Sequence, residues 1–246
     1  MSIDPSRYGD SVADLYDELF SPSTNVEAEV KFLRELAGDG NVLELGIGTG
    51  RVAIPLAAQG VKVTGVDSST AMIAKLRAKP GSEGIVVHHG DFAEVQYDGT
   101  FSLAYVVVNT FFAVPSRNQQ LACFRNVRKH LSAGGKFLIE AYVPDTSVFT
   151  RGQGWFVHDV TPDAVVIEAS RHDPIEQTVR TQMIVIKEAS TRLIPIWSRY
   201  VYPSELDLMA NLAGFKLRDR FGGWKRQSFH SMSRQHISVY EVDDAI

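Results

Sequence analysis

From Val26 to Tyr142, short apolar runs alternate with stretches of helical spacing, the rhythm of a chain that builds a parallel sheet with covering helices. Val26, Val30, Leu33 and Leu36 fall on one helical stripe and predict a helix ending near Gly38. Residues 41–45 read as a short buried strand running into Gly46-Ile47-Gly48-Thr49-Gly50, with a helix from Arg51 to Ala58 behind it. Pro55 falls early in that helix, where a missing N–H costs least, and Gly60 closes it. Residues 61–66 form a second strand ending at Asp67; Ser68 and Ser69 then offer caps for a helix that runs to Lys79 and is broken by Pro80-Gly81. A third strand, 85–89, leads into Gly90-Asp91-Phe92. The fourth, 101–108, is nearly all apolar, as a strand buried on both faces should be. A helix over 117–130, a turn at Ser132-Ala133-Gly134-Gly135 and a fifth strand over 136–142 complete this half.

Beyond Tyr142 the rhythm changes. Residues 155–200 are rich in Val, Ile, Thr and Tyr without helix-length gaps, and predict antiparallel strands near 155–160, 164–172, 178–188 and 192–201. Thr161-Pro162 and Asp173-Pro174 mark turns. A helix from Ser204, as N-cap, to Ala213 with Gly214 beyond its end precedes two last strands, 215–221 and 236–242. The expected architecture is α/β: a doubly wound, Rossmann-like, mostly parallel seven-stranded sheet with an antiparallel β insertion after the fifth strand. Residues 1–143 and 201–246 would form the core, and 144–200 a lid.

Composition narrows the function classes. The 246 residues are 44% hydrophobic and 22% charged, with a formal net charge of -4, so a dominant nucleic-acid role loses ground. One cysteine, Cys123, excludes an internal disulfide framework and an all-cysteine zinc site. The histidines are scattered and no metal constellation is visible. There is no run of about 18 apolar residues and no signal-peptide core in the polar first residues. The expectation is a cytoplasmic protein, monomer or homodimer, with a small-molecule substrate and neither nucleic acid nor membrane as partner.

The strongest chemical signal is Glu44-Leu45-Gly46-Ile47-Gly48-Thr49-Gly50 between a strand and a helix. Glycines there permit positive φ and let a ligand approach the backbone, and the following helix offers free N–H groups. Asp67 ends the adjacent strand, so a glycine loop and a carboxylate stand side by side, which fits a ribose whose hydroxyls donate to Asp67. A dinucleotide site uses the same two anchors, but its fingerprint wants a small residue three positions after the second glycine; here that residue is Arg51. Glu44 would face a pyrophosphate badly and suits a ligand with an ammonium group.

This combination, with Gly90-Asp91-Phe92, Asn109 after the fourth strand and the Leu131–Gly135 turn, resembles the class I S-adenosylmethionine-dependent methyltransferases. The resemblance covers residues 8–143 well and 203–242 loosely. It implies S-adenosyl-L-methionine as cofactor. Gly46, Gly48 and Gly50 would pass beneath its methionine portion, with Glu44 on the ammonium and Arg51 a further candidate contact. Asp67 and Ser68 would meet the ribose, Met72 and Phe92 the adenine ring, and Asp91 the adenine amino group. Asn109 would sit near the methyl, and Tyr8 and Tyr16 would close over the cofactor. Met72 and Phe92 also suit plain core positions, and Asn109 a helical cap.

A sulfonium methyl is already electrophilic, so alignment rather than covalent catalysis is required, and alignment can contribute roughly 7–11 kcal/mol. Glu140 and Tyr142, ending the fifth strand, are the candidates for the acceptor side, where Glu140 could hold a substrate ammonium or accept its proton; a carboxylate paired inside the fold and a tyrosine packed under the lid are the alternative readings. In the insertion Trp155, His158, Arg171 and Trp197 are candidate pocket residues, with His172 and His230 as weaker candidate bases. Asn109-Thr110-Phe111-Phe112 lacks the prolines of base-methylating enzymes and looks more like small-molecule methyltransferases of natural-product pathways. A nitrogen acceptor (an amino sugar, amine or peptide amino terminus) is the first expectation; an oxygen acceptor and a non-catalytic cofactor-binding module are the alternatives. Lys216, Arg218, Arg220, Lys225, Arg226 and Arg234, against Asp219 alone, form either a solvated face or a rim for an anionic substrate.

Overall fold

The computed structural model describes residues 4, 6–20 and 26–243. Part of the polar N-terminal stretch that argues against a signal peptide lies outside them.

Helices α1 (Ser6–Val12), α2 (Tyr16–Phe20) and α3 (Val26–Ala37) precede the sheet strands β1 (Val42–Leu45), β2 (Val63–Asp67), β3 (Val86–His89), β4 (Phe101–Val106) and β5 (Leu131–Tyr142). Between them run α4 (Ala53–Ala57), α5 (Thr70–Arg77) and α6 (Arg117–His130). Strands β6 (Gln153–Val160), β7 (Ala164–Asp173), β8 (Thr178–Lys187) and β9 (Ser190–Arg199) follow, then α7 (Pro203–Leu212), β10 (Phe215–Gly223), β11 (Gln227–Ser228) and β12 (Gln235–Val242). The central sheet has the order β11-β10-β12-β5-β4-β1-β2-β3, parallel from β5 to β3 and antiparallel beyond β5. It has eight strands, not the seven expected. The additional one, β11, is two exposed residues folded back on β10, too short to show any alternation.

Alternation along each strand sorts side chains between two cores. Val42, Leu103, Tyr105 and Leu138 face α3 and α4, where they meet Leu33 and Leu56. Their neighbours Leu43, Leu45, Ala104, Val106, Phe137 and Ile139 face α6 and α7. There Phe124 makes edge-on ring contacts with Phe111, Phe137 and Tyr240 at 5.2–5.7 Å.

Helix ends follow the local signals with one exception. Gly38 is left-handed (φ 61°), and Ser69 accepts from the Met72 N–H as the cap of α5. Ser204 does not cap α7: Tyr202 holds the cap position and Pro203 begins the helix, its fixed φ already helical. The turn expected at 132–135 is an irregular opening of β5, whose Leu131 already pairs with Phe101.

The topology creates a crevice. From β1 the chain winds outward to β2 and β3, then returns to β4 on the other side of β1. The segments leaving β1 and β4 therefore diverge at their C-terminal ends, where ligands bind in such sheets.

Strands β6 to β9 form a separate antiparallel meander in that order. Its Met183, Val185 and Ile194 pack against Val12 and Ala13 of the N-terminal segment, which also touches Met72 on α5. Arg192 donates to the Ser11 carbonyl at 2.6 Å. At the far end the buried Arg199 donates to Gln120 of α6 and, at 2.8 Å, to Glu205 of α7, while Gln120 donates to the Arg199 carbonyl at 2.9 Å. These bonds tie the insertion to the core. Arg199→Ala removes the bonds to Gln120 Oε1 and Glu205, although Gln120 keeps the main-chain carbonyl and Glu205 keeps Gln177 and Arg117. It should cost about 1–3 kcal/mol, measured by urea unfolding, and an unchanged stability would contradict this role.

Candidate active site

The crevice opens into a cavity of about 570 Å³. Its floor is main chain. At Gly46 (φ 73°) a Cβ would stand 2.5 Å from the Thr110 methyl, so only glycine fits. At Gly48 (φ 55°) the N–H donates to Asp67 at 2.8 Å, and the other Asp67 oxygen accepts from the Ser69 N–H at 2.8 Å. Burial nonetheless raises the Asp67 pKa above the usual carboxylate value. Gly46, Gly48, Asp67, Ser68 and Met72 all line the cavity. Gly50 does not: its Cα packs against Ile54 and Leu76, so it serves the fit of the following helix rather than the cavity.

Along β3 the wall continues through Gly90, Asp91 and Phe92, and Asp91 accepts from the Ala93 N–H at 2.8 Å. The roof is the N-terminal segment. Tyr8 and Tyr16 line the cavity, and burial pushes the Tyr16 phenol up to about 12 and the Tyr8 phenol further. Polar ties hold this roof: Asp10 accepts from Ser69 at 2.6 Å, and Asp17 accepts from Thr49 at 2.7 Å and pairs with Lys79 at 2.6 Å.

Beneath the glycine loop lies a buried polar layer. Glu44 and Tyr105 are register partners on β1 and β4, and the tyrosine donates to the acid at 2.9 Å. Burial raises the Glu44 pKa to about 8. Arg51 reaches back to Glu29 of α3 at 2.9 Å, while its Nη1 is buried without a hydrogen-bond partner. Glu44, Arg51 and Tyr16 together line a small recess beside Gly46 and Gly48.

The turn after β4 is the most constrained backbone of the site. Val108 (φ 55°) and Asn109 (φ 59°) are both left-handed, which for a β-branched residue is costly. Glu140 accepts from the Val108 N–H at 2.5 Å and also from the Asn109 N–H. Asn109 in turn accepts from the Tyr142 N–H at 2.7 Å. Val108 and Asn109 line the cavity; Glu140 does not. The expectation that Glu140 meets the acceptor is therefore corrected: it lies behind the turn, its carboxyl engaged by backbone. Burial pushes its pKa to about 7.

Tyr142 does line the cavity, edge-on to Phe112 at 4.9 Å and bonded to Ser198 of β9. Burial pushes its phenol up to about 12. Of the insertion's candidates, His158 and Trp197 line the cavity, whereas Trp155 is 66% exposed and Arg171 lies on the surface. His172 stacks on Phe149 and bonds Tyr200, and His230 bonds within its own exposed loop. The basic run is mostly committed elsewhere. Lys216, Arg218, Arg220 and Arg226 pair with Asp243, Glu241, Asp207 and Glu35, and Arg234 is the one arginine or lysine among the cavity residues. Sequence reasoning missed Glu168, which lines the cavity from β7. The available signal was an acid on the face of that strand shared with Val166 and Ser170, but nothing local tells which face turns inward.

A family model described as a methyltransferase domain matches residues 42–135. The cypemycin N-terminal methyltransferase of a Streptomyces species is 27% identical over 97% of this chain and 98% of that protein. Among solved structures, the CcbJ methyltransferase from Streptomyces caelestis is 38% identical, with a TM-score of 0.93 over 98% of this chain and all of that one. The chain belongs to the class I S-adenosylmethionine-dependent methyltransferases. The S-adenosylmethionine-bound CalS10 amino pentose methyltransferase from Micromonospora echinaspora shares the fold at 20% identity, with a TM-score of 0.69 over 92% of this chain and 96% of that one.

The methyltransferase's cavity suits this cofactor on its own terms. An amino-acid zwitterion needs an acid and a cation close together, and the recess offers Glu44 and the unpartnered Arg51 Nη1. No helix among the described residues is long and apolar enough to cross a membrane.

The two buried acids give the ligand-free methyltransferase a defined pH response. Each has a folded pKa raised above 4.5, so its contribution to stability is complete below about pH 4.5 and is lost as pH rises through about 7 for Glu140 and about 8 for Glu44. Replacing both by glutamine should flatten the fall of unfolding free energy between those limits, by up to about 1.4 kcal/mol per pH unit for each acid. Urea unfolding across pH 5 to 9 checks this; an unchanged slope would refute it.

Proposed function

We propose that the protein moves the methyl group of S-adenosylmethionine to a nitrogen of a small molecule: an amino sugar, an amine or a peptide amino terminus. The cofactor supplies an electrophilic methyl on a sulfonium. The protein's part is to orient both reactants and shield them. In this reading the main chain at Gly46 and Gly48 passes under the methionine portion, with Glu44 on its ammonium and Arg51 on its carboxylate. Asp67 accepts from the ribose hydroxyls beside Ser68. Met72 and Phe92 sandwich the adenine, and Asp91 accepts from its amino group. Asn109 faces the methyl, and Tyr8 and Tyr16 close the roof. Gly50 acts indirectly, by letting the following helix pack close, and Glu140 by holding the Val108–Asn109 turn.

Residues 144–200 act as the lid that receives the acceptor, with Tyr142 opposite. The observation that carries the choice of nitrogen is the acid Glu168 on the lid wall, in a cavity whose one arginine, Arg234, is 82% exposed at its side chain. Such a wall attracts a cation and repels a carboxylate substrate. The cypemycin relative is an N-terminal methyltransferase, which supports the same choice.

Mass spectrometry for a single added methyl across matched amines and alcohols tests the proposal. Gain on amines is expected; methylation of alcohols alone would overturn it. Asp67→Asn should weaken S-adenosylmethionine binding about 10- to 100-fold in calorimetry, the effect of losing charge-assisted bonds to two hydroxyls. An unchanged affinity would remove Asp67 from the site.

A further inference from the structure

We propose that Glu168 and His158 form the subsite that binds the positively charged amine of the acceptor. This inference rests on the nitrogen-methylating reading and deepens it. Both residues line the cavity, from neighbouring strands of the lid. One Glu168 oxygen accepts from Ser170 at 2.9 Å and Thr181 at 3.3 Å, and those two hydroxyls are themselves buried and 2.8 Å apart. The other oxygen lies 2.8 Å from His158 Nε2. The carboxylate is thus fixed in place by two hydroxyls and an imidazole. Its side chain is only 21% exposed, so solvent screens it weakly. No lysine or arginine forms an ion pair with it among the described residues.

A carboxylate offers about four acceptor positions; His158 takes one, and the two hydroxyls, with one proton each to share between Glu168 and one another, take one or two more. What remains is room for a strong donor and for a cation beside a carboxylate that has no lysine or arginine partner among the described residues. An ammonium group supplies both; a hydroxyl supplies only the hydrogen bond. For transfer the bound ammonium gives one proton to the Glu168 carboxylate, which frees the nitrogen lone pair that attacks the methyl.

Strand alternation puts His158 on the face of Phe156, the register partner of Glu168. The β6–β7 register slips between Val157, opposite Ile167, and Asp159, opposite Val166, so His158 is the extra residue of a bulge. Tyr142 and Ser198, bonded to each other, face the same space from the core and from β9.

The test uses the full chain loaded with S-adenosylhomocysteine, with ring signals of His158 followed by NMR. Methylammonium chloride is the probe and potassium chloride at equal ionic strength the control. Saturable movement of the His158 signals with methylammonium alone is expected, and Glu168→Gln should raise its half-saturation point about tenfold or more. No movement in the wild type, equal movement with potassium, or an unchanged midpoint in Glu168→Gln would overturn the proposal. Should Glu168→Gln lose S-adenosylhomocysteine binding through misfolding, Thr181→Val replaces it: the acid stays but loses one of its anchors, and a several-fold weaker midpoint is expected, with an unchanged one overturning the proposal. Failure of the nitrogen reading would appear separately, as methyl gain on alcohols only in the mass assay.

Discussion

Buried carboxylates fasten the main chain at the two strand ends that frame the cavity. A ligand that must lie against backbone needs loops free of side chains, and such loops have little packing to hold them. Here the holding force is electrostatic. Asp67 takes the Gly48 N–H, and Glu140 takes those of Val108 and Asn109. Hydrogen bonds to buried groups contribute about 0.5–1.5 kcal/mol each, so the two on the turn after β4 together match the roughly 1–3 kcal/mol that a left-handed valine costs. The turn after β4 persists because it is over-determined: two N–H groups bound from below, and the Asn109 side chain tied to Tyr142.

The same constraint explains the polar layer under the sheet. Strand alternation sends Glu44, Tyr105 and Glu140 to the face covered by α3, where Glu29 and Arg51 already meet. Acids crowded with one guanidinium and little solvent hold their protons to higher pH, which is why both Glu44 and Glu140 titrate late. A buried layer with an unpartnered arginine nitrogen is poor design for stability alone. It makes sense beside a cavity meant to receive a zwitterion.

Three parts of the chain remote in sequence enclose the cavity: the core loops, the N-terminal helices and the antiparallel sheet β6 to β9. The N-terminal segment is the middle layer, packed on α5 below and on β8 and β9 above. Its contacts are partly polar, through Asp10, Asp17 and the Ser11 carbonyl, so roof and lid are linked by directional bonds as well as apolar packing. Methyl transfer by alignment depends on such fixed geometry more than on any one reactive group.

Local signals carried much of the fold. The apolar runs of β1, β2 and β4 and the alternation of β7 to β9 were readable because burial on two faces, or one, leaves its own period in the sequence. The glycine loop beside Asp67 was readable for a related reason: a strand, a glycine loop and an acid at the next strand end are neighbours through short-range connections. Glu140 and Glu168 mark where that ended. Both are acids on strands, and the one nearer the expected crevice proved to brace the backbone, while the other faces the cavity across a gap closed only by the packing of lid on core. By itself the sequence determined the elements, their winding and the glycine loop, because these depend on hydrogen bonding and periodicity within a few residues. Tertiary structure alone decided which faces turn inward, which acid has a backbone partner and which lines the cavity, because those depend on contacts between segments that no local pattern encodes.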